Sequence, residues 1–323
     1  MKKVSIVIPV YNEEAIVSEL IGRLQKATSA LPYQFEFILV DDGSTDSTLC
    51  NLLQIQRSDS RLIILKLSRN WGHQNAYNAG LDHVTGNAVI LMDGDLEDPP
   101  EMISVFLQKW EEGFDVVYAL KETRQESIFK KFLFSIFYSI LQTISDISVE
   151  KQAGMFSLMD EKVIRELIQL KERNKYYVGL RYMLGFKQVS VSYNREKRFA
   201  GKPRQSFRKL MNYAFNAFFS FSFLPIRLLT YSGMFILATI VIMSIILVTM
   251  KLFKSYIPFY HDLPGWTSVI LAFLFLLGIQ ITFMGILGEY IARIFDEVRN
   301  RPYYIVEKVL RNPGQIDKTI NES

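Results

Sequence analysis

The sequence predicts an α/β domain built on a mostly parallel sheet with helices on both faces, followed by interfacial amphipathic helices and two transmembrane helices. Three observations carry this. Short apolar runs alternate with helical stretches over the first 120 residues, polar clusters close those runs, and the hydrophobic excess gathers after about Leu224. At 323 residues the chain holds one full-sized domain plus a smaller unit. A hydrophobic share of 49% is high for a soluble enzyme. The net charge of +4 is too small to argue for a nucleic-acid partner. Met1–Lys3 leads straight into a strand-like run, so no secretory leader is expected. The single Cys50 excludes an internal disulfide and fits a reducing compartment.

Ser5–Val10, Phe35–Val40, Leu62–Leu67, Ala88–Met92 and Val116–Leu120 are rich in Val, Ile, Leu and Phe and end in polar or turn residues, which predicts strands. Glu13–Ala30, Asp46–Arg57, His73–Val84 and Pro100–Glu112 have helical spacing, and Pro99–Pro100 suits a helix start. Such alternation predicts a parallel sheet covered by helices. Ligands of such sheets bind beyond the carboxyl ends of the strands.

Leu228–Met250 and Leu263–Gly288 are free of charge. Each exceeds the roughly 20 residues that cross a hydrocarbon core as a helix. Spans are expected at about 228–252 and 264–289, within a membrane unit of 227–291. Residues 1–204 would form the catalytic domain, 205–226 a juxtamembrane amphipathic helix, and 292–323 a cytoplasmic tail. The connector offers only Lys251 and Lys254. The outer flanks carry Arg204, Arg208, Lys209, Arg227, Arg293, Arg299, Arg301 and Lys308. The positive-inside rule then puts both termini in the cytoplasm. The apolar stretch at about 129–145 is too short to span and reads as an interfacial helix.

The predicted strands run into Pro9-Val10-Tyr11-Asn12-Glu13, Asp41-Asp42-Gly43-Ser44 and Asp93-Gly94-Asp95-Leu96-Glu97-Asp98. Acids crowded after a hydrophobic strand repel one another, and a divalent cation among them relieves this. Mg²⁺ and Mn²⁺ bind through one or two carboxylates plus substrate phosphates. Gly94 lets the backbone bend tightly there. Asp42-Gly43-Ser44 alone is also ordinary turn chemistry. Three such clusters at successive strand ends are far more specific.

The segments VSIVIPVYNEE, ILVDDGSTDST, LSRNWGHQNAYNAGLDHVTG and ILMDGDLEDPPE resemble the family 2 glycosyltransferases of GT-A (Rossmann-like) fold. LIQLKERNKYYVGLRYMLGF, FSFLPIRLLTYSG and GILGEYIARIFDEVRNRPYYIVE extend the resemblance to the polyisoprenyl-phosphate glycosyltransferases, covering almost the whole chain. The resemblance implies a nucleotide-sugar donor, with UDP-glucose first by family proportion and UDP-GlcNAc, a modified UDP-pentose and GDP-mannose open. It also implies a divalent cation (Mg²⁺ or Mn²⁺), inversion, a polyisoprenyl (undecaprenyl) phosphate acceptor in an inner membrane, a homo-oligomer such as a tetramer, and a downstream flippase.

By position it implies nucleotide contacts at Pro9, Tyr11, Glu13, Asp41, Asp42, Asp93, Gly94, Lys121 and Arg124. Asp93, Asp95 and Glu97 take the metal positions, with Glu97 where Gln is usual. Lys131, Arg198, Lys202 and Arg204 would hold the acceptor phosphate, and His73 stands where Lys is usual. Met155 and Ser157 replace the usual Asp and Arg, which leaves the general base open. Asp95 or Asp98 are alternatives, or the acceptor phosphate, already ionised near pH 7, needs positioning rather than deprotonation. A non-catalytic homologue is the competing expectation.

Overall fold

The structure, a computed structural model, describes residues 1–121, 153–170, 177–193, 266–299 and 301–312, with short helical pieces between 231 and 249. Eight strands form one sheet: β1 (Lys3–Val10), β2 (Gln34–Asp41), β3 (Leu62–Leu67), β4 (Ala88–Leu91), β5 (Val116–Lys121), β6 (Ala153–Asp160), β7 (Gln188–Tyr193) and β8 (Val306–Leu310). Their order is β7-β5-β6-β4-β1-β2-β3-β8. The pairs β1–β2, β1–β4, β2–β3 and β5–β7 are parallel, while β6 and β8 run antiparallel to their neighbours. The mostly parallel sheet is therefore present.

Helices cover both faces. On one side α1 (Val17–Thr28), α2 (Thr48–Gln56) and α4 (Ile103–Glu111) pack on Val4, Ile6 and Ile8 of β1 through Leu20, Leu24, Leu52 and Phe106. On the other, α3 (His73–Leu81), α5 (Glu161–Gln169) and α6 (Tyr177–Met183) pack on Val7, Ile38 and Val40 through Tyr77, Ile164 and Leu180. The period of two in β1 sends alternate side chains to opposite cores, and a strand covered twice must be apolar throughout. That is why VSIVIPV is apolar but for Ser5, whose buried hydroxyl donates to Glu36. Asp160 caps α5 by accepting the Lys162 amide at 3.0 Å and also takes the Trp110 indole N–H at 2.8 Å, tying α4 to α5.

The segment expected to be a simple tail joins the sheet. β8 pairs with the edge strand β3, with a register shift between Lys66 and Leu67. Gln56 Nε2 donates to the Leu310 carbonyl and Asn312 Nδ2 to the Gln56 carbonyl, both at 2.7 Å.

The second compact unit spans Met211–Asn300. Its described core is α7 (Trp266–Val298), 33 residues that begin where the second span is expected and run on past Glu289. At ~1.5 Å rise per residue it is long enough to cross a bilayer. It presents Phe273, Phe275, Ile281, Met284 and Ile291 outward, as a lipid-facing helix does. The expected helices at 129–145 and 205–226 lie outside the described residues. Of the first expected span only pieces are described, and residues 231–236 among them are helical.

Candidate active site

The carboxyl ends of β1, β2 and β4 come together at one rim. Gly94 shows how tightly: a Cβ there would sit 2.8 Å from the Pro9 carbonyl oxygen and 3.0 Å from a Val10 methyl. The end of β4, with Asp93 and Asp95, therefore lies directly against the end of β1, with Pro9 and Tyr11. The loops after β1 and β2 interlock as well. Asn12, at φ 51°, donates its amide to Ser44 Oγ at 3.0 Å and accepts the Thr45 amide on Oδ1 at 2.8 Å. The Glu13 amide donates to Thr48 Oγ1 at 2.8 Å.

Asp41 and Asp42 close β2 and are both buried. Asp41 Oδ1 accepts the Ser44 amide at 3.0 Å, whereas its buried Oδ2 has no hydrogen-bond partner among the described residues. A buried lone acceptor costs ~1–3 kcal/mol. A donor group on a bound base would relieve that cost, so the atom fits the nucleotide role. Asp42 turns the other way. Its Oδ1 accepts the Trp71 amide at 2.7 Å and its Oδ2 the Gly72 amide at 3.0 Å. Burial pushes its pKa up, against the pull of those two amides. Between them Gly43 has φ +71°, and a Cβ would stand 2.5 Å from the Arg69 carbonyl carbon. The turn is glycine because the loop Ser68–Gly72 lies on it. On that loop the Arg69 guanidinium stacks 3.9 Å over the Trp71 ring.

Along the acidic loop burial alternates: Asp93, Asp95 and Glu97 are partly open, while Gly94, Leu96 and Asp98 are buried. Leu96 adopts φ 59°, uncommon for a bulky side chain and costly by about 1–3 kcal/mol. Asp93 Oδ1 receives the Tyr77 hydroxyl at 2.8 Å and lies 3.0 Å from His73 Nε2. Burial pushes the His73 pKa down. Asp93 first, then Asp95 and Asp42, outweigh that and hold it above the ordinary value. Asp95 Oδ1 accepts the Glu97 amide at 3.1 Å.

Asp98 differs from the other three. It is buried and receives the Tyr193 hydroxyl, which ties the acidic loop to β7. Among the described residues no three His, Cys, Asp or Glu side chains converge as a protein-only metal cage, so a cation held by Asp93, Asp95 and Glu97 would also need oxygens from the substrate.

Met155 and Ser157 lie in β6. Met155 packs partly buried on the α3-side core, and Ser157 donates to its carbonyl at 2.8 Å. Arg181, which sequence reasoning passed over, is buried in α6. It donates to the Gly154 carbonyl at 3.1 Å and stacks 4.5 Å from the Tyr118 ring. An arginine in an otherwise apolar helical stretch was the only hint. Lys121 ends β5. Arg124, Lys131, Arg198, Lys202 and Arg204 lie outside the described residues.

With that geometry in place, three relatives and one family profile bear on identity. An uncharacterized glycosyltransferase of Synechocystis sp. is 40% identical over 94% of this chain and 94% of its own length. The glycosyltransferase YkcC of Bacillus subtilis is 39% identical over 94% of this chain and 93% of its own. The bactoprenol glucosyl transferase of Shigella phage SfII is 35% identical over 96% of this chain and 100% of its own. The profile of glycosyl transferase family 2 matches residues 5–168, from the first strand through the strand-end rim to α5, and the chain belongs to that family as a glycosyltransferase.

Proposed function

We propose that the enzyme transfers a sugar, with inversion, from a nucleotide-sugar to the phosphate of a polyisoprenyl lipid. One observation carries this reading: similarity to the phage bactoprenol glucosyl transferase spans 96% of the chain, so it includes the apolar unit after the family 2 match. Glucose from UDP-glucose is the first donor to test, ahead of GlcNAc, a modified pentose and mannose.

The rim supports the donor half. Asp41 and Asp42 stand at the end of β2 for the nucleoside, and the Ser68–Gly72 loop is held over them. Asp93 and Asp95 fit a hard divalent cation that completes its shell with diphosphate oxygens rather than a protein-only cage. Bound there, Mg²⁺ or Mn²⁺ would offset the charge of the leaving nucleoside diphosphate.

On the acceptor half, Arg198, Lys202, Arg204 and Lys131 supply charge-assisted bonds to the lipid phosphate, and Lys121 and Arg124 add positive charge toward the diphosphate. A thioether takes no proton, so Met155 is not a base. A phosphate monoester, with a second pKa of ~6, is already a nucleophile at pH 7 and needs only to be held in line.

Sheet topology supports a two-span membrane unit. β1–β7 precede α7 in the chain and β8 follows it, yet all eight strands share one sheet and hence one side of the membrane. A chain that leaves this sheet, crosses the membrane and returns to the same sheet makes an even number of crossings. With α7 as one, we assign the other to the uncharged run Leu228–Met250. A cytoplasmic catalytic domain, a homo-oligomer and a flippase for the product complete the proposal.

Purified chain incubated with labelled UDP-glucose, the other nucleotide-sugars, Mn²⁺ or Mg²⁺ and polyprenyl phosphate should yield a lipid-linked sugar. Glycolipid from none of the donors overturns the enzyme reading and leaves the non-catalytic homologue.

A further inference from the structure

The chain that leaves α7 returns to the sheet at a particular place. Tyr304 and Ile305 are consecutive, and each holds one end of the same piece of the domain. The Ile305 carbonyl accepts the Ser68 amide at 3.0 Å, just before the Arg69–Gly72 loop. The Tyr304 hydroxyl donates to Asp82 Oδ2, just after α3. Between these two bonds lie the Trp71 and Gly72 amides that Asp42 accepts, Arg69 over Gly43, and His73 and Tyr77 on Asp93. Behind them β8 pairs with β3, and Lys66 meets Glu307 at 2.8 Å. The register shift between Lys66 and Leu67 is what brings the Ser68 amide to Ile305. A strand serving only to cover the edge of β3 requires neither the register shift nor the Tyr304 bond, which reaches beyond the strand to the far end of a helix.

We propose that Tyr304–Leu310 is a positioning element of the donor site, with Tyr304 and Ile305 fixing both ends of the Ser68–Asp82 loop and helix so that its amides and His73 meet Asp42 and Asp93. This rests on the reading of the strand-end rim as the nucleotide-sugar site. The segment acts through the loop and touches no substrate. The same continuous chain that emerges from the apolar helix thereby sets the geometry of the nucleotide end.

The test uses the full-length chain with Tyr304→Phe, which keeps the ring, and Asp82→Ala, which removes the acceptor of the same bond. Both are assayed at a temperature where circular dichroism shows them folded. KM for the nucleotide-sugar should rise about three- to tenfold in each, with KM for polyprenyl phosphate unchanged. The double variant should be no worse than either single, because one bond is lost in all three. Calorimetric titration with UDP and Mn²⁺, or GDP where UDP does not bind, should show the same loss. A lowered melting midpoint with donor KM unchanged assigns the strand to edge cover alone and overturns the proposal. So does an equal rise in acceptor KM, or additivity of the two substitutions. Asp93→Asn separates the two readings. If it loses nucleotide binding while Tyr304→Phe binds like the parent, only the positioning role fails. If Asp93→Asn also binds like the parent, the donor-site reading fails with it.

Discussion

Asp42 Oδ1 accepts the Trp71 amide at 2.7 Å, a bond that fastens the end of β2 to the loop that opens α3. Its second oxygen does the same for Gly72 at 3.0 Å. An asparagine keeps one acceptor and turns an N–H₂ toward the other amide, so one bond becomes a clash of donors. Asp42→Asn should therefore lower stability by about 1–3 kcal/mol, read as the thermal midpoint in detergent. It should also raise donor KM, because the freed loop no longer covers Gly43. Parent-like values for both would show that the two amides are held by something else.

Asp95 plays a different part in the same rim. Its Oδ1 takes the Glu97 amide, and the residue is only partly buried, so little of the fold depends on it. As one of the carboxylates proposed, with Asp93 and Glu97, to hold a diphosphate-bound cation, it should matter far more to turnover. Asp95→Ala is expected to cut transfer at least about 100-fold, the scale seen when a group stabilising developing charge is removed, with a melting midpoint close to the parent's. Undiminished transfer would remove the metal assignment.

Much of this was legible beforehand, and the exceptions have physical reasons. β1, β2 and β4 are buried on both faces, so their sequences are apolar runs, and the polar clusters that end them mark the rim. β8 was not legible: VEKVL is an edge strand with exposed Glu307 and Lys308, and five residues of mixed character after a membrane helix read as tail. The anchoring of Asp98 by Tyr193 links residues far apart in the chain, and no local pattern marks it. Sequence spacing puts the carboxylates of Asp93, Asp95 and Glu97 near one another but does not show the local bond from the Glu97 amide to Asp95 Oδ1.

Glu36 gives a pH dependence remote from the rim, at the other end of the strands. It is buried, receives Ser5 Oγ at 2.5 Å and both the amide and hydroxyl of Thr85 at 2.8 Å, and pairs with Lys3 at 2.6 Å. Burial pushes its pKa up, but the bonds from Lys3, Ser5 and Thr85 outweigh this and hold it below the ordinary 4.5. The unfolded state thus takes up a proton first on acidification. The stabilisation is fully present above the unfolded value and is lost as pH falls through the folded one. Melting midpoints of the parent should drop between about pH 5 and pH 3. Glu36→Gln should be less stable at pH 7 by about 1–3 kcal/mol and flatter across that window, with donor KM unchanged. An identical acid slope in both proteins would assign the transition to other carboxylates.

The membrane arrangement has a built-in reporter. Cys50 is the only cysteine in the sequence and is exposed on α2, in the unit that carries the rim. If β8 and β1–β7 share one side because they share one sheet, a membrane-impermeant maleimide should label Cys50 in inside-out vesicles and leave right-side-out cells unlabelled. With Cys50→Ser as background, a cysteine replacing Tyr256, in the connector between the two uncharged runs, should show the opposite pattern. Labelling of both positions from the same side would leave α7 uncrossed and turn the apolar unit into a surface anchor. Labelling of Cys50 from outside would overturn the proposed cytoplasmic placement of the rim. Opposite labelling would place the rim and β8 together on the cytoplasmic face.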